Sequence, residues 1–360
     1  MLKLRRGKVV SYDPLIVKVG NEERRAWADV ELVGRCLVGD DVVVNTEAKD
    51  LGLGSGGFDI VHVNLTRGLD APGSSREHVM KLNYTSLQHP VGSIERSVPG
   101  GEAGEPDAPG DHADAGGLTG PSGIPVLAIG LHGHLAPAAW AAGEVVRSSG
   151  RELKVAYVQT GGGALPGSFS RDVAELRERG LIFEHVTAGP AYGGGKEAIT
   201  LVGALDAAGA RGWDAVIAGP GPGILGSATN FGHGGMTALD VLHGALALGM
   251  PALLSPRISA GDPRPRHQGL SHHSLAVLEL LLAGVEVPVP EGNDEIGAIV
   301  NASGGGDHSA IPIAVDLGGY EASGLPIRSM GRDISDDPVF FAAPLAAGRR
   351  LAEVAAASTF

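Results

Sequence analysis

Apolar and polar residues alternate along roughly the first 65 residues, in five short β-rich runs. A turn at Asp13-Pro14 separates the first two runs, and the Gly-rich segment LGLGSGG separates the last two. Alternation with a period of two is typical of strands with one buried face. Five such strands in so short a length predict a small N-terminal β-barrel-like domain of the SH3 or OB type, at residues 1–66.

The composition changes sharply after this region. Residues 67–96 contain one further β-rich run, HVMKLNYTSL, and we interpret them as a connecting segment with a strand. Residues 97–123 hold eight Gly, four Pro and five acidic residues but no Lys or Arg. Such a stretch has too little apolar surface to offset the entropy lost on ordering, so we expect a flexible acidic Gly/Pro-rich insertion there.

From Pro125 onward, short apolar runs alternate with longer segments of helical periodicity. The candidate strands are PVLAIG, LKVAYVQ, LIFEHV, DAVIAG, PALLSP and VEVPVP. Ser170 and Ser271 stand where helix N-caps are expected, and the tail is expected to form a closing helix broken near Pro344. Strands that alternate with helices favour β-α-β units. Residues 124–360 are therefore predicted to form a mainly parallel, doubly wound, Rossmann-like α/β domain.

Composition and charge narrow the class of protein. Only 4% of the 360 residues are aromatic, so the cores must be built from Ala, Val, Leu and Ile. The net charge of −13 argues against a nucleic-acid partner, because phosphate backbones bind clustered Lys and Arg. The single cysteine, Cys36, permits no intrachain disulfide. The N-terminus lacks a signal-peptide pattern and no apolar run is long enough to span a membrane, so we expect a cytoplasmic protein without a membrane partner.

The loops that follow the candidate strands are long and chemically unusual, whereas the connections from helix back to strand are short and plain. Carboxyl ends of parallel strands lie on one edge of a sheet, where α/β proteins bind ligands. This asymmetry predicts one polar ligand site at the strand ends. The alternative explanation is a generally Gly-rich composition, with 57 Gly in the chain. The five loops begin at Leu131, Thr160, Thr187, Pro220 and Arg257.

These loops are suited to an anion. Gly lets backbone N–H groups approach a ligand closely, and Arg binds phosphate or carboxylate through two parallel hydrogen bonds. The sequence therefore predicts a small anionic ligand. The residues expected to bind it are Gly161, Gly162, Gly163, Gly193, Gly194, Lys196, Gly221, Gly223, Arg257, Arg264, Arg266, His272 and His273.

Named nucleotide motifs fit less well. Gly221-x-Gly223-x-x-Gly226 follows a strand and has the spacing of the dinucleotide fingerprint. However, prolines flank these Gly residues, the next helix begins late, and no acidic residue follows at a strand end to bind a ribose. Ordinary NAD binding is therefore disfavoured. The segment from Gly189 to Lys196 is one residue too long for a P-loop. Since neither nucleotide motif fits, the sequence does not identify a cofactor.

Histidine offers two further kinds of chemistry. His132 and His134 follow a strand directly and are candidate ligands of a divalent metal, if a third His or an Asp converges with them. His267, close to Arg264 and Arg266, is the best candidate for catalytic proton transfer, because imidazole titrates near neutrality. The nearby guanidinium groups are expected to lower its pKa, and His132 is the second catalytic candidate. A purely structural role for these histidines is the alternative.

A family resemblance covers nearly the whole chain. It is carried by HVMKLNYTSLQ, GLHGHLAPAAWAAG, YVQTGGGALPGSFS, GPGPGILGSATNFGHGG and LLSPRISAGDPRPRHQGLSHHS. Together these stretches resemble an uncharacterised bacterial family, of an actinobacterial type, with a domain of unknown function. The resemblance implies no assigned activity and supplies no catalytic residues. The acidic segment at 97–123 looks like a local departure from it.

Three functions are consistent with these observations. The first is binding of a small phosphate- or carboxylate-bearing ligand at the strand-end loops, with His acid–base catalysis if the protein is an enzyme. The second is a metal-dependent hydrolase that uses His132 and His134. The third is a non-enzymatic interaction protein whose N-terminal barrel binds a partner. The Ala- and Leu-rich segment MTALDVLHGALALG either packs on the sheet or buries a face in a homodimer.

Overall fold

The computed structural model describes residues 1–54, 56–69, 79–96, 123–147, 152–227 and 229–358. The chain divides into two compact units, Met1–Val91 and Gly92–Phe360. The insertion predicted at 97–123 lies outside the described residues except for Gly123. Among the helices in the described ranges, none combines the length and the apolar character needed to cross a membrane.

Five strands of the first unit close into a barrel, as their alternating pattern predicted. Its order is β1-β2-β3-β5-β4, in which β3 and β5 pair in parallel and the other neighbours are antiparallel. Valines from the inward positions, such as Val9, Val17 and Val42, fill the interior, and Cys36 is a buried free thiol among them. The elements are β1 (Leu4–Tyr12), β2 (Leu15–Val19), β3 (Glu22–Trp27), α1 (Val30–Val33), β4 (Asp41–Asn45), α2 (Glu47–Asp50) and β5 (Asp59–Asn64).

The strand expected in the connecting segment is short. It consists of β6 (Val79–Lys81), which pairs antiparallel with β7 (His89–Val91). Leu82 and Tyr84 have φ values of 49° and 60°, and this left-handed backbone ends the strand sooner than the apolar pattern predicted.

In the described part of the second unit, eight parallel strands form one sheet in the order β11-β10-β9-β12-β8-β13-β16-β17. All six predicted strands are present. The two outermost strands, β11 and β17, were not predicted, because one has three residues and the other carries few buried positions. The strands are β8 (Val126–Ile129), β9 (Val155–Thr160), β10 (Glu184–Ala188), β11 (Lys196–Ala198), β12 (Ala215–Pro220), β13 (Ala252–Ser255), the paired β14 (Ile258–Ser259) and β15 (Gly269–Leu270), β16 (Glu286–Pro290), β17 (Ser309–Ile313), and the paired β18 (Arg328–Ser329) and β19 (Arg332–Asp333).

Helices cover both faces of this sheet. Leu127 and Ile129 of β8 belong to the hydrophobic cluster on one face of the sheet, whereas Val126 and Ala128 belong to the cluster on the opposite face. The parallel order and the two helical layers confirm the doubly wound α/β fold. One layer contains α3 (Leu135–Arg147), α4 (Arg171–Glu178), α9 (Leu317–Ala322) and α10 (Pro338–Ala357), and the other contains α5 (Leu201–Asp206), α6 (Thr237–Ala247), α7 (His272–Leu280) and α8 (Asp294–Ala302).

The helix ends follow the sequence signals with one exception. Ser170 and Ser271 accept hydrogen bonds from backbone N–H groups as N-caps of α4 and α7. The break expected near Pro344 is wrong, because α10 continues through this residue. A proline inside a helix costs about 3 kcal/mol, but burial of Phe340, Phe341 and most of their neighbours on α10 outweighs that cost. Helix α6 packs its buried residues on the sheet, and the homodimer stays a prediction.

Candidate functional site

The sheet topology brings three of the five unusual loops together. The chain passes from β8 to β9 on one side of the sheet and later from β12 to β13, which lies on the other side of β8. The strand order therefore reverses around β8, and the loops that leave β12, β8 and β13 are neighbours at the carboxyl edge. A crevice at such a reversal is where open α/β sheets bind ligands.

The glycines of the β9 and β12 loops have a different use from the one predicted. A Cβ added to Gly163 would lie 2.2 Å from the carbonyl oxygen of Gly221, and one on Gly234 would lie 1.8 Å from that of Gly162. Gly161 similarly faces a proline ring. These residues let two main chains pack directly against each other. Close packing between loops therefore accounts for Gly161, Gly162, Gly163 and Gly221, and the ligand contacts expected of these four residues stay a prediction.

The predicted anion contacts of Gly193, Gly194 and Lys196 also find no support in the geometry. The N–H of Gly193 donates to the carboxylate of Glu197 at 2.6 Å, and the N–H of Gly194 donates to Thr187 Oγ1 at 3.0 Å. Neither N–H is left for an anion. Lys196 is exposed on β11, at the far edge of the sheet, and does not line the central crevice.

The segment with the dinucleotide spacing lacks the turn into a helix that this fingerprint requires. Gly221 is packed against the β9 loop, and α6 begins only at Thr237. A pyrophosphate would therefore not meet a helix N-terminus directly after these glycines. Of the two β12-loop glycines predicted to bind the ligand, Gly223 is the open one, with a φ of 69° and free space where a Cβ would stand.

The loop after β13 is built instead from charged side chains. Asp262 accepts hydrogen bonds from Arg257 at 3.0 Å, from Arg264 at 2.9 and 2.8 Å, and from Arg332 at 3.3 Å. Arg332 also contacts Asp337 at 3.1 Å. Hydrogen bonding from Arg264 helps to hold the pKa of Asp262 well below its usual range. Three guanidinium groups share two carboxylates, so this network keeps one positive charge in excess.

Arg257 is the innermost member of this network. It is 4% exposed, and burial lowers its pKa to about 10 although Asp262 opposes the shift. Its Nε is buried and has no hydrogen-bond partner within the described part of the chain. A buried N–H left unpaired costs about 1–3 kcal/mol, which an acceptor atom on a ligand would recover.

Arg257 opens onto a cleft of about 710 Å³, which we call the arginine cleft. Its volume lies in the range of about 300–1,000 Å³ that is usual for small-molecule sites. Among the described residues, four guanidinium groups and one carboxylate, that of Asp172, line it, and Asp262 pairs with two of the four, so the cleft has an excess of positive charge. The lining residues are Leu131, His132, Gly133, Asp172, Pro222, Gly223, Ile224, Leu225, Gly226, Ser227, Arg257, Arg264, Arg266, His267, His273, Arg328, Ser329 and Met330.

Four histidine rings stand in contact beside the cleft. His233, from the β12 loop, stacks on His273 with ring centroids 3.6 Å apart and planes 9° apart. His272 lies 4.4 Å from His273 and 4.8 Å from His267, by ring centroids. We call His233, His267, His272 and His273 the histidine cluster. The predicted site residues His267, His272, His273, Arg257, Arg264 and Arg266 therefore come together.

The histidine cluster is held in the neutral form. Burial lowers the pKa of His267 to about 3, and the positive charges of Arg257 and Arg264 contribute. Burial also lowers the pKa of His273 to about 2 and, in the same direction, the pKa values of His233 and His272. The predicted lowering at His267 is confirmed in direction. Its size contradicts the expectation that His267 titrates near neutrality, because the guanidinium charges add to burial.

Among the residues that the structure describes, neither His132 nor His134 belongs to a group of three or more side chains that could hold a metal ion. His132 contacts Ser170 Oγ through Nε2 at 2.7 Å and the carbonyl oxygen of Pro220 through Nδ1 at 3.3 Å. His134 contacts Ser255 Oγ at 2.9 Å through Nδ1 and is fully buried. Within the described residues, the ligand atoms that converge belong instead to His233, His272 and His273. The i, i+2 spacing sends the two side chains to different partners, as expected where a strand passes into a helical turn.

Comparison with protein family models places the chain in a family. The family model described as "Protein of unknown function (DUF3866)" matches residues 25–348. The chain belongs to this family. Its matched region includes every residue of the arginine cleft and of the histidine cluster. Searches of curated proteins and of solved structures gave no match.

Sequence reasoning missed several residues of the site in this family member. Arg328 and Arg332 flank a tight turn at Met330, in a segment to which no element was assigned. Asp172 is in the first turn of α4. Arg328 and Asp172 line the cleft, and Arg332 contacts Asp262 beside it. All three come from elements far along the chain from the β13 loop. The pair of arginines around a Met-Gly turn, after the last strand of the eight-stranded sheet, is the signal that could have marked Arg328 and Arg332.

Proposed function

We propose that this protein binds a small phosphate- or carboxylate-bearing molecule in the arginine cleft. The observation that carries the proposal is a cleft lined, among the described residues, by four guanidinium groups and one carboxylate. One of the four belongs to the buried Arg257, whose Nε has no hydrogen-bond partner in the described part of the chain. Arg recognises both kinds of anion with paired N–H donors. The neutral rings of His267 and His273, which also line the cleft, can each donate one further N–H.

The electrostatics of the site favour an anion over a neutral ligand. Arg266 and Arg328 are exposed and, within the described ranges, neither forms an ion pair. Arg328 donates a 3.5 Å hydrogen bond to the carbonyl oxygen of Gly331. A ligand can therefore pair with either charge without first breaking an ion pair. Arg264 has to share its guanidinium with Asp262, so it anchors the network as much as it binds.

An acid–base role for His267 depends on the ligand. At pH 7 its neutral ring is a poor match for proton transfer, which is most efficient when the pKa lies near the working pH. A bound anion would offset the charges of Arg257 and Arg264 and so raise the pKa of His267 towards its ordinary value. Catalysis by this residue is therefore proposed only for the liganded protein.

The experiment is a thermal-shift and calorimetric screen of inorganic phosphate, sugar phosphates, nucleotides and small di- and tricarboxylates, in protein treated with EDTA. The uncharged counterparts of these compounds, the free sugars and nucleosides, serve as controls that should not bind. A binder at about 100 to 1,000 times its Kd should stabilise the fold by about 2.7–4.1 kcal/mol. Added NaCl should weaken binding.

Arg328→Gln is the decisive variant, because its guanidinium lines the cleft without holding Asp262. Loss of one charged hydrogen bond of about 1.5–3 kcal/mol should weaken binding about 10- to 100-fold. Arg179→Gln removes one positive charge from the C-cap of α4, where Arg179 pairs with Glu175, and is the control. The proposal is contradicted if no anion stabilises the protein, or if both variants weaken binding equally.

A further inference from the structure

We infer that His233, His272 and His273 form a binding site for a divalent transition-metal ion beside the arginine cleft. Each offers one ring nitrogen, and the three atoms lie within 4.8 Å of one another. A tetrahedral zinc site with bonds of about 2.0–2.1 Å needs nitrogens about 3.4 Å apart. Side-chain torsions can close this difference, and ligation would then replace the present stack of His233 on His273.

His233 supplies an independent observation that points to a ligand at these ring nitrogens. It is 7% exposed, and its two ring nitrogens make no hydrogen bond of acceptable geometry with the described residues, although the backbone of Asn230 acts to raise its pKa. Buried polar atoms without partners are rare in native proteins, because each costs about 1–3 kcal/mol. A metal ion on one nitrogen would remove that cost.

His272 already has the arrangement of a metal ligand. Its Nδ1 contacts the carbonyl oxygen of Arg266 at 3.3 Å, so the proton stands on Nδ1 and the lone pair on Nε2 is free. Metal-bound histidines commonly donate their second N–H to a backbone carbonyl in this way. The helix N-cap at Ser271 fixes the backbone from which His272 and His273 both project.

His273 links the metal to the anion. The Nδ1 of its ring accepts a 3.4 Å hydrogen bond from Arg257. A neutral imidazole has one ring lone pair, so a metal ion and Arg257 compete for it. Metal binding would release that guanidinium towards the cleft. An anion in the cleft would in turn offset the positive charge that Arg257 and Arg264 present to the ion.

Metal and anion should therefore bind cooperatively. This consequence rests on the proposed function, whereas the metal site itself does not. Coupling between two ligands is reciprocal, so each should raise the affinity of the other by the same factor. The chemical class of the ion is a borderline divalent cation such as Zn²⁺ or Co²⁺, since the three ligands are imidazoles.

The test is a titration of the full chain, free of an affinity tag and treated with EDTA, with Co²⁺ as the probe. We expect one equivalent to bind and to develop the visible absorption of low-coordinate Co²⁺, and Zn²⁺ to abolish that absorption. His272→Ala, which changes a partly exposed residue, should weaken binding at least 100-fold, and so should His233→Ala. His62→Ala removes a histidine from β5 of the barrel and should change nothing.

A stoichiometry near zero, or equal affinity in the parent, His272→Ala and His62→Ala proteins, would overturn the site. Circular dichroism of each variant shows whether it is folded. If His233→Ala fails to fold, the comparison of His272→Ala with His62→Ala decides. The anion screen on EDTA-treated protein is independent. Anion binding without Co²⁺ binding defeats this inference and leaves the proposed function standing, and Co²⁺ binding without anion binding does the reverse.

Discussion

The loops after β9 and β12 and the loop after β13 lie on the same edge of one sheet, yet they are built by different means. The first two are rich in Gly and bring main chain against main chain, as between Gly162 and Gly234. The β13 loop is held by side chains, through three guanidinium groups on Asp262. Both kinds of sequence looked like ligand-binding loops. The loop with charged side chains brings several guanidinium groups to the cleft, whereas the β12 loop contributes one buried histidine, His233, whose ring nitrogens have no partner among the described residues.

The difference teaches how glycine at a strand end should be interpreted. A Gly-rich loop can bind a ligand only if its N–H groups stay unpaired and its missing Cβ faces open space. Here the N–H groups of Gly193 and Gly194 already donate hydrogen bonds to Glu197 and Thr187. Gly223 faces open space and lines the cleft.

The largest loss of stability that tests this comparison is expected from a substitution at Gly234. A methyl group there would lie 1.8 Å from a main-chain oxygen, which cannot move away as a flexible side chain can. Gly234→Ala should lower the free energy of unfolding by about 3 kcal/mol or more. Gly223→Ala is the matched control, and its left-handed backbone should cost only about 1–2 kcal/mol.

Urea denaturation of the two variants measures this difference. Equal losses of stability would show that the β9 and β12 loops are not packed as described. A change of midpoint without a change of the slope m is the expected signature, since neither substitution alters the surface exposed on unfolding by much.

Acid sensitivity gives the next largest effect. Burial lowers the pKa of His134 to about 3, below the ordinary value near 6.5 that the unfolded chain should have. The unfolded state therefore binds the proton first, and stability falls as the pH drops from about 6.5 towards 3. His134 should contribute a slope of up to about 1.4 kcal/mol per pH unit within that window.

His134→Gln should remove that part of the slope. The measurement is the free energy of unfolding at intervals between pH 7 and pH 4, for parent and variant. Gln is not isosteric with the buried ring, so an overall loss of stability is expected at every pH. Parallel curves, with no change of slope, would contradict a neutral buried His134.

The smallest expected effect concerns Lys196. This exposed residue ends the Gly-rich loop after β10 and lies on the outermost strand, away from the arginine cleft. Lys196→Ala should change stability by no more than about 0.5 kcal/mol and should leave anion binding unaltered. A calorimetric titration that shows weakened binding would return the Gly-rich loops to the ligand site.

Much of the fold could be predicted from the sequence because its signals are local. The alternating valines of β4 and the apolar runs of β8 and β12 reflect the burial of each strand, and this pattern can be recognised within the strand's own sequence. Strand β17 could not be recognised, because its edge position leaves most of its residues partly exposed. The helix break predicted at Pro344 was wrong because the packing of α10 outweighs the local cost of the proline, and that packing is visible only in the folded molecule.

The site was predicted less completely, for a physical reason. His267, His272 and His273 lie close in sequence, and their grouping follows from one loop and one helix start. The partners that complete the site, His233, Arg328 and Arg332, come from distant segments, and only the strand order brings them near. Whether a glycine N–H or a histidine nitrogen is already paired is likewise a property of the fold.

The long helix α10 has a consequence for the timing of folding. It packs against α3 and covers β8, β13, β16 and β17, although its residues follow all of those elements in the chain. During synthesis the ribosome releases every strand of the sheet before residues 338–357 emerge. Until then one face of the central strands, including Leu127, Ile129 and Leu253, lacks part of its cover. The second unit should therefore complete its core only after these residues have left the exit tunnel, and until that moment the nascent sheet should expose apolar surface of the kind that chaperones bind.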